Sequence, residues 1–309
     1  MTWQNVDLSE LIEVIESGGR PHGGATQDSG EIPSLGGENI RMLGGLELDE
    51  VKKVPVAFYE QLTKGILQNQ DVLINKDGAN TGKVGFYDGQ FPKASINEHV
   101  FLLRGKPQKL EQLYLYYLLL SQNGQSFIRS KISGSAQPGL KRDFIKSFPV
   151  SIPVSTKEQA KIAEIFATID RAITQTEALI AKHQRIKTGL MQDLLTRGID
   201  EHGQLRDPST HKFKSTPLGM IPEEWEYEQF GKYISSSAFG PRFPATQYDE
   251  NGAIANIRTT DMDDEGNIVS EKLPRANLDL TSYEKHILKS GDILISRSGT
   301  IGITTVFSS

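Results

Sequence analysis

Two segments of the 309-residue chain, residues 75–83 and 296–300, follow short β-type runs with polar and basic residues. Lysine, arginine, asparagine, serine and threonine are the side chains that contact phosphates and base edges, and glycine lets a backbone approach closely. The pattern therefore predicts a nucleic-acid-binding turn in each half of the chain, and the alternative is a solvated hairpin turn. The candidate residues in these turns are Lys76, Asn80, Thr81, Lys83, Arg297 and Ser298.

A second candidate surface lies within residues 104–147, where eight lysines and arginines stand against two acidic residues. The segment 134–139 pairs glycine with proline and has no periodicity, which predicts a loop. Ordinary solvated charge is the alternative interpretation of the basic residues around it. The candidates here are Lys131, Gln137, Lys141 and Arg142, and Arg41 and Arg258 are added because each ends an Asn-Ile-Arg triplet.

No residue pattern predicts an intrinsic catalytic activity. The absence of cysteine excludes disulfides, thiol catalysis and cysteine-bound metals, and the six scattered histidines form no H-E-x-x-H pair. Phosphate-loop and nucleophile-elbow motifs are absent, as is the Asn-Pro-Pro-aromatic motif of amino-methyltransferases. Glu50 and Lys52 have a nuclease-like spacing without an identifiable partner carboxylate. We expect a non-catalytic chain that holds neither a metal nor a cofactor.

The clearest element is a long helix predicted over residues 155–198. Its apolar residues, with Thr176, His183 and Lys187 filling the gaps, recur in alternating steps of four and three, the heptad pattern of a helix that packs along a partner. About 40 residues make a rod of roughly 60 Å. The alternative is that the helix folds back on its own domain. The predicted helix-pairing and subunit-docking residues are Ile162, Phe166, Ile169, Ile173, Ile180, Leu190 and Leu194.

The order of elements predicts a mixed α/β (α+β) fold. It comprises a first recognition domain with a small β-sheet (1–154), the long coiled-coil-type helix (155–198), a linker (199–221) and a partial second recognition domain (222–309). Within the first domain we expect a short helix over residues 8–15, strands over 71–75 and 100–104, and an extended segment at 148–153. Helices are expected over 109–121 and 125–132.

An internal repeat supports the two-domain division. Trp3 matches Trp225, the Asn-Ile-Arg triplet of 39–41 matches that of 256–258, and residues 67–78 match 288–299. The three matches follow the same order along both halves, and their spacing differs only by small insertions. The first copy runs on into the basic segment and the long helix, whereas the second ends soon after its matched strand.

Together with this repeat, several short motifs make the chain resemble the specificity (S) subunits of type I restriction–modification systems, the HsdS family. The resemblance rests on Pro153 followed by Glu158-Gln159 and Ile162, on Leu190 to Gly198, on Ile221 to Trp225 and on the Gly-Asp-Ile-Leu-Ile strand at 291–295. It implies two target-recognition domains that each read one half of a bipartite DNA site. It also implies two antiparallel helices that hold these domains apart and dock methyltransferase subunits.

The resemblance further implies partners and a compartment. The expected partners are double-stranded DNA, methyltransferase (M) subunits that carry S-adenosylmethionine, and a restriction/translocase (R) subunit. Because the second conserved helix is not found in the sequence, self-association through the long helix is a further expectation. No signal-peptide pattern begins the chain, and its longest apolar run has eight residues, so we expect a cytoplasmic protein without membrane contact.

Overall fold

The computed structural model describes residues 2–134, 138–263, 265–269, 273–299 and 301–308, and it divides the chain into two compact units, Met1–Gln192 and Asp193–Ser309. The candidate DNA-binding residue Gln137 lies outside the described residues. Both units combine short strands with helical turns, and one long helix is present, which confirms the predicted mixed fold class.

Among the described residues, eleven strands and four α-helices begin within the first unit. The strands are β1 (Trp3–Asp7), β2 (Ile12–Ser17), β3 (Ile32–Leu35), β4 (Lys53–Val54), β5 (Asp71–Asn75), β6 (Val84–Tyr87), β7 (Ser95–Ile96), β8 (Val100–Gly105), β9 (Ile132–Ser133), β10 (Gly139–Leu140) and β11 (Pro149–Pro153). The helices are α1 (Val56–Glu60), α2 (Gln112–Leu120), α3 (Gln122–Lys131) and α4 (Thr156–Arg197). The predicted strands at 71–75 and 100–104, the two shorter helices and the long helix are therefore confirmed, with small shifts of their ends.

The core of the first unit forms around an antiparallel sheet with strand order β2-β8-β5-β6. Strands β5 and β8 have nearly continuous apolar sequences because they lie in the middle of the sheet and both of their faces are covered. One face packs with α2, α3 and the start of α4, and the other packs with the residues around the smaller sheet β4-β3-β7. Edge pairing of β1 with β11 brings the beginning of the chain to the segment that precedes α4.

The helix predicted over residues 8–15 is wrong. Leu8–Glu10 forms one 3-10 turn, capped by the carboxylate of Asp7, and β2 follows from Ile12. The β-branched residues Ile12, Val14 and Ile15 pair along β8 with a bulge between Ile12 and Val14. Pairing with the buried strand β8 therefore determines the structure of this segment, although the spacing of its apolar residues fits a helix.

The described residues of the second unit form six strands, all in two-stranded pairs. They are β12 (Phe213–Thr216), β13 (Gly219–Pro222), β14 (Ile254–Ala255), β15 (Arg275–Ala276), β16 (Ile293–Ile295) and β17 (Thr304–Val306). Hairpin β12–β13 covers residues 213–222, so the second half of the predicted linker (199–221) contains an ordered hairpin. The boundaries of the four predicted domains otherwise stay predictions.

The internal repeat is present in the backbone, but its register corrects one of the three matches. Ile32 pairs with Val54 in the first unit and Ile254 pairs with Ala276 in the second, so both partners shift by one constant offset in residue number. Asn39 and Asp261 are related by the same offset. Each side chain accepts a hydrogen bond from the backbone NH three residues earlier. Asn39 therefore corresponds to Asp261 and not to Asn256, and Arg41 and Arg258 are not equivalent.

The match between the strand segments 67–78 and 288–299 is confirmed. In the first unit Gln68 N donates to Asp71 Oδ2 at 2.8 Å, and in the second Lys289 N donates to Asp292 Oδ2 at 2.8 Å. Hairpin β5–β6 pairs Val72 with Phe86, and hairpin β16–β17 pairs Ile293 with Val306. The turn that joins the two strands is one residue shorter in the second copy.

Candidate nucleic-acid interface

The turn between β5 and β6 is held by backbone hydrogen bonds, which leaves its long side chains at the surface. Asn75 N donates to Lys83 O at 2.9 Å, and Gly82 N donates to Asn75 O at 2.8 Å. Gly78 and Gly82 have φ of 79° and 92°, values that favour glycine. The Thr81 hydroxyl donates to Gly78 O at 2.6 Å, so it stabilises the turn from within.

The structure joins the two candidate surfaces of the first unit into one. Gly78 N donates to Pro138 O at 3.0 Å, and Leu140 N donates to Lys76 O at 2.6 Å, so hairpin β9–β10 lies beside the 75–83 turn. Thr81 also reaches Pro138 O at 3.2 Å. This combined region is called the basic surface below. Its candidate side chains among the described residues are Lys76, Asn80, Lys83, Lys131, Lys141 and Arg142, of which Lys131, Lys141 and Arg142 are exposed.

A chain of ionisable side chains, which no sequence pattern indicated, extends from Lys76 of this surface. Lys76 Nζ lies 3.3 Å from Asp77 Oδ2, and His99 Nδ1 lies 2.5 Å from Asp77 Oδ1. His99 Nε2 approaches Glu98 Oε1 at 3.3 Å, and Glu98 approaches Arg20 at 3.5 Å. The five groups come from three distant segments, so their meeting depends on the sheet. The carboxylate of Asp77 offsets part of the charge that Lys76 presents.

The two arginines predicted from the Asn-Ile-Arg triplets each have a carboxylate partner. Arg41 Nη2 lies 2.7 Å from Glu47 Oε2, and this hydrogen bond and charge hold the Glu47 pKa below its usual value. Arg258 donates through Nε and Nη2 to both oxygens of Asp261, and these bonds raise the Arg258 pKa and lower that of Asp261. No contact among the described residues brings Arg41 to the basic surface.

The corresponding turn of the second unit presents Arg297 and Ser298, both exposed. The guanidinium of Arg297 lies over the ring of Phe239, with its carbon 4.2 Å from the ring centroid. A cation over an aromatic face is attracted by the ring quadrupole. Arg297 is thereby oriented without a carboxylate contact among the described residues, unlike its equivalent Lys76.

Gln159, part of the motif that carried the family resemblance, fastens α4 to the first unit. Its side chain is completely buried, accepts from Glu111 N at 2.9 Å, and donates to Lys109 O at 3.0 Å and Pro153 O at 2.8 Å. Glutamine fits here because its planar amide accepts through Oε1 and donates through Nε2.

Three turns further on, the helix leaves the core of the first unit. The Tyr117 hydroxyl donates to Asp170 Oδ2 at 2.7 Å, and the Tyr117 and Phe166 rings lie 5.1 Å apart. Burial, and then the hydrogen bond to Asp170, raise the Tyr117 pKa. From residue 171 to residue 192 every side chain is exposed.

The predicted helix-pairing residues of α4 fall into two groups, before and after the point where the helix leaves the core of the first unit. Ile162 packs partly against the core and Phe166 contacts Tyr117, so the alternative in which the helix packs on its own domain holds for the first turns only. The remaining predicted pairing residues are exposed apolar side chains on a helix that, among the described residues, has no partner helix. They are Ile169, Ile173, Ile180, Leu190 and Leu194.

Neither a metal site nor a membrane span is found in the part of the chain that the structure describes. No group of three or more histidines, cysteines, aspartates or glutamates in these ranges is arranged to hold a metal ion. None of the helices in the described ranges has both the length and the apolar composition of a membrane span.

The chain is similar to known specificity subunits. Its identity to the type I restriction enzyme MjaVIII specificity subunit of Methanocaldococcus jannaschii is 26% over 299 residues, which cover 95% of this chain and 63% of the relative. Its identity to the putative type I restriction enzyme MjaX specificity subunit of the same organism is 27% over 258 residues, covering 81% of this chain and 57% of the relative. The chain thus spans less than two thirds of the length of either relative.

Solved structures of similar proteins include the S subunit of a type I restriction–modification system from M. genitalium. That match has a TM-score of 0.48 and 14% identity and covers 82% of this chain and 59% of that one. The HsdS subunit from Thermoanaerobacter tengcongensis matches with a TM-score of 0.42 and 16% identity, over 62% of this chain and 44% of that one.

The family model for the type I restriction modification DNA specificity domain matches residues 1–183, which contain the basic surface, the buried Gln159 and the first part of α4. Since this match covers more than half of the sequence, the chain belongs to the family of type I restriction modification DNA specificity domains.

Proposed function

We propose that this chain is the DNA-recognition component of a type I restriction–modification complex and that the basic surface contacts one half of a bipartite site. The observation that carries the proposal is the joining of two basic segments, distant in sequence, inside the matched specificity domain. Exposed lysines and arginines supply phosphate contacts, and Asn80 is a residue type that reads base edges. Local basic charge suffices for these contacts although the net charge of the chain is −5.

In this proposal the chain itself carries out no chemistry. Methyl transfer belongs to methyltransferase subunits that bind S-adenosylmethionine, and cleavage belongs to a restriction/translocase subunit. The family match favours this function over the alternative of a coiled-coil regulator or adaptor without restriction partners. Methyl transfer by the purified chain without any partner would contradict the proposal.

The test of DNA recognition has two parts. First, the chain is co-expressed with a methyltransferase subunit of a type I system from the same genome, and methylome sequencing identifies the bipartite site that becomes modified. Second, affinity for a duplex with that site is measured against salt concentration for the combined variant Lys76→Ala, Lys141→Ala and Arg142→Ala. Loss of three phosphate contacts should reduce the slope of log K against log salt by about 2 to 3.

A control variant with the same change in charge makes this test specific. Lys53, Lys64 and Lys93 are exposed cations of the first unit that lie outside the basic surface. Replacement of these three by alanine should leave the salt slope near that of the unmodified chain. Equal losses of slope in the two variants, or methylation that does not require this chain, would refute the proposed role of the basic surface.

We propose that the exposed part of α4 docks a partner, either a methyltransferase subunit or the α4 helix of a second copy. Full burial of one such apolar side chain contributes roughly 1.5–3 kcal/mol, so the five exposed residues can support a stable helix pair. Antiparallel pairing of two copies would set two identical first units at opposite ends of a rod of about 60 Å, and such a dimer would read a palindromic bipartite site.

Light scattering and co-purification test this docking face. Ile169→Asp with Ile173→Asp should abolish both self-association and capture of the methyltransferase. The matched control, Gln175→Asp with Ala178→Asp, introduces the same charges off the predicted seam and should change neither. A monomer of the unmodified chain at high concentration would exclude the homodimer, and failure to capture the methyltransferase would exclude the other partner.

A further inference from the structure

His99 is brought to the 75–83 turn by the main chain of the sheet. Lys76 N donates to His99 O at 2.8 Å, and Asn75 Nδ2 donates to Asp77 O at 3.0 Å. His99 N donates to Oδ1 of Asn97 at 2.9 Å. The backbone on both sides of the pair is held by these bonds, so the approach of the His99 ring to Asp77 is a property of the fold.

The ring of His99 has a carboxylate at each of its nitrogens. Nδ1 lies 2.5 Å from Asp77 Oδ1, and Nε2 lies 3.3 Å from Glu98 Oε1. A neutral imidazole has one N–H donor and one acceptor nitrogen, whereas the protonated ring has two donors. Only the protonated ring therefore donates to both carboxylates, and the neutral ring turns a lone pair toward one of them.

Asp77 is shared between this ring and the candidate DNA contact Lys76. Lys76 Nζ lies 3.3 Å from Asp77 Oδ2, and His99 lies at the other oxygen of the same carboxylate. The Lys76 side chain is 26% exposed, and its Nζ lies 5.6 Å from the centroid of the Phe101 ring. With a neutral ring the charges of Lys76 and Asp77 cancel, whereas with a protonated ring the three side chains carry one net positive charge.

Each carboxylate that interacts with His99 has a cation of its own. The pairs are Asp77 with Lys76 at 3.3 Å, Glu98 with Arg20 at 3.5 Å, and Glu38, on which the charge of His99 also acts, with Lys52 at 2.7 Å. Histidine is the side chain whose charge ordinarily changes between about pH 5 and 8, whereas carboxylates, lysines and arginines ordinarily keep theirs. A proton on His99 is therefore the charge that this network can gain.

On the basis of the proposed function of the basic surface, we propose that His99 is a positioning residue for the DNA contact of Lys76 and takes up a proton from solvent when a phosphate binds there. A phosphate beside Lys76 places negative charge near the ring, which favours the protonated form. The protonated ring keeps Asp77 hydrogen-bonded while Lys76 turns to the phosphate, so Asp77 is not left without a partner. DNA affinity should therefore rise as the pH falls from about 8 to about 6.

The pH dependence of DNA affinity tests this role in the complex of the full chain with a methyltransferase subunit. His99→Gln keeps a hydrogen-bond donor for Asp77 but cannot take up a proton. Because the His99 side chain is 47% exposed, the replacement leaves no cavity in the core. At fixed salt, the ratio of affinities for the bipartite duplex at pH 6 and pH 8 should be about two- to fivefold larger for the unmodified chain than for His99→Gln, the size of one exposed charge interaction.

Two further variants and a calorimetric measurement separate His99 from general effects of pH. His202 of the second unit also lies beside a carboxylate, with Nε2 3.5 Å from Glu201 Oε1, and His202→Gln should retain the affinity ratio of the unmodified chain. Lys76→Ala should lower the ratio to that of His99→Gln, because His99 acts on DNA through Lys76. Binding enthalpies measured in buffers of different ionisation enthalpy should show that His99→Gln takes up fewer protons on binding than the unmodified chain.

Three results would overturn the proposal. An affinity ratio that His99→Gln leaves unchanged would exclude a role for the ring charge. Affinity that His99→Gln lowers equally at both pH values would assign the ring a purely structural role. A ratio that Lys76→Ala leaves unchanged would show that His99 acts on DNA without Lys76. The proposed function fails separately, when the combined variant of the basic surface retains the salt slope of the unmodified chain.

Discussion

The ion pair between Asp71 and Arg104 should be the most sensitive charged site of the first unit. Asp71 is 1% exposed, and its two oxygens accept from Arg104 Nε at 2.6 Å and Nη2 at 2.8 Å. The hydrogen bond to Asp71 raises the Arg104 pKa, so the guanidinium stays charged. Asp71→Ala leaves that charge without its partner at a side chain only 22% exposed. We expect a loss of about 3–5 kcal/mol in the free energy of unfolding.

The two tryptophans allow this loss to be assigned to one unit. Trp3 lies in the first unit and Trp225 in the second, so a Trp225→Phe background reports unfolding of the first unit alone. Urea unfolding followed by tryptophan fluorescence gives the free energy. At about 2–4 °C per kcal/mol for a unit of this size, the melting temperature should fall by about 6–20 °C.

The repeat supplies the control for Asp71. Asp292→Ala removes the hydrogen bond to Lys289 N without exposing an unpaired arginine, and it should cost only about 0.5–1.5 kcal/mol in a Trp3→Phe background. The combined variant Asp71→Ala and Arg104→Met removes both charges and should recover much of the loss. A loss below about 1 kcal/mol for Asp71→Ala, within the range of a single neutral hydrogen bond, would refute the reasoning.

Three further predictions concern the repeat, the helix start and alkaline pH. Gly18→Ala should unfold the first unit because its Cβ overlaps Ile96 O, whereas Gly240→Ala should leave the circular dichroism melting curve unchanged; equal effects would contradict the assigned packing. Gln159→Leu should cost at least about 1–3 kcal/mol in urea unfolding because buried backbone partners lose their hydrogen bonds, and an unchanged free energy would exclude that role. Burial raises the Tyr116 pKa to about 12, so its contribution to stability is complete at neutral pH and declines as pH rises from about 10 through the folded value. Tyr116→Phe should weaken that alkaline decline in urea unfolding measured across this range, and an unchanged decline would rule out the contribution.

The elements that the sequence predicts well are those with a strong local pattern. The apolar run of 71–75 between turn residues and the heptad spacing of 156–197, which no proline breaks, each specify one structure. Residues 8–15 have an ambiguous pattern, and their pairing with β8 became visible only in the sheet. The hairpin β12–β13 was missed because each of its strands has only four residues and neither shows an alternating apolar pattern.

The repeat shows why identity of residues is a weaker guide than position. The triplets Asn39-Ile-Arg41 and Asn256-Ile-Arg258 are identical, yet Asn39 and Asp261 perform the same capping hydrogen bond. Asparagine and aspartate both offer the required acceptor oxygen, so the cap tolerates the exchange. The residues before and after this cap differ in number by the same amount between the two copies. That constant difference could have identified the correct match.

The candidate DNA contacts were predictable as residue types but not as one surface. Backbone bonds from Gly78 to Pro138 and from Leu140 to Lys76 join segments that are far apart along the chain, and no local pattern encodes them. The approach of His99 to Asp77 has the same origin, because the residue before β8 meets the second residue after β5 only in the sheet. Long-range strand register therefore determines which charges meet.

The turns of the two units combine a fixed backbone with variable side chains. Positive-φ glycines occupy equivalent places, Gly78 with Gly299 and Gly82 with Gly302, and main-chain bonds close both turns. Lysine at 76 is replaced by arginine at 297, and aspartate at 77 by serine at 298, within the same framework. Because few of these side chains support the fold, their exchange changes the groups presented at the surface at little cost in stability. If the proposed function holds, one scaffold would thus present a different recognition surface in each unit.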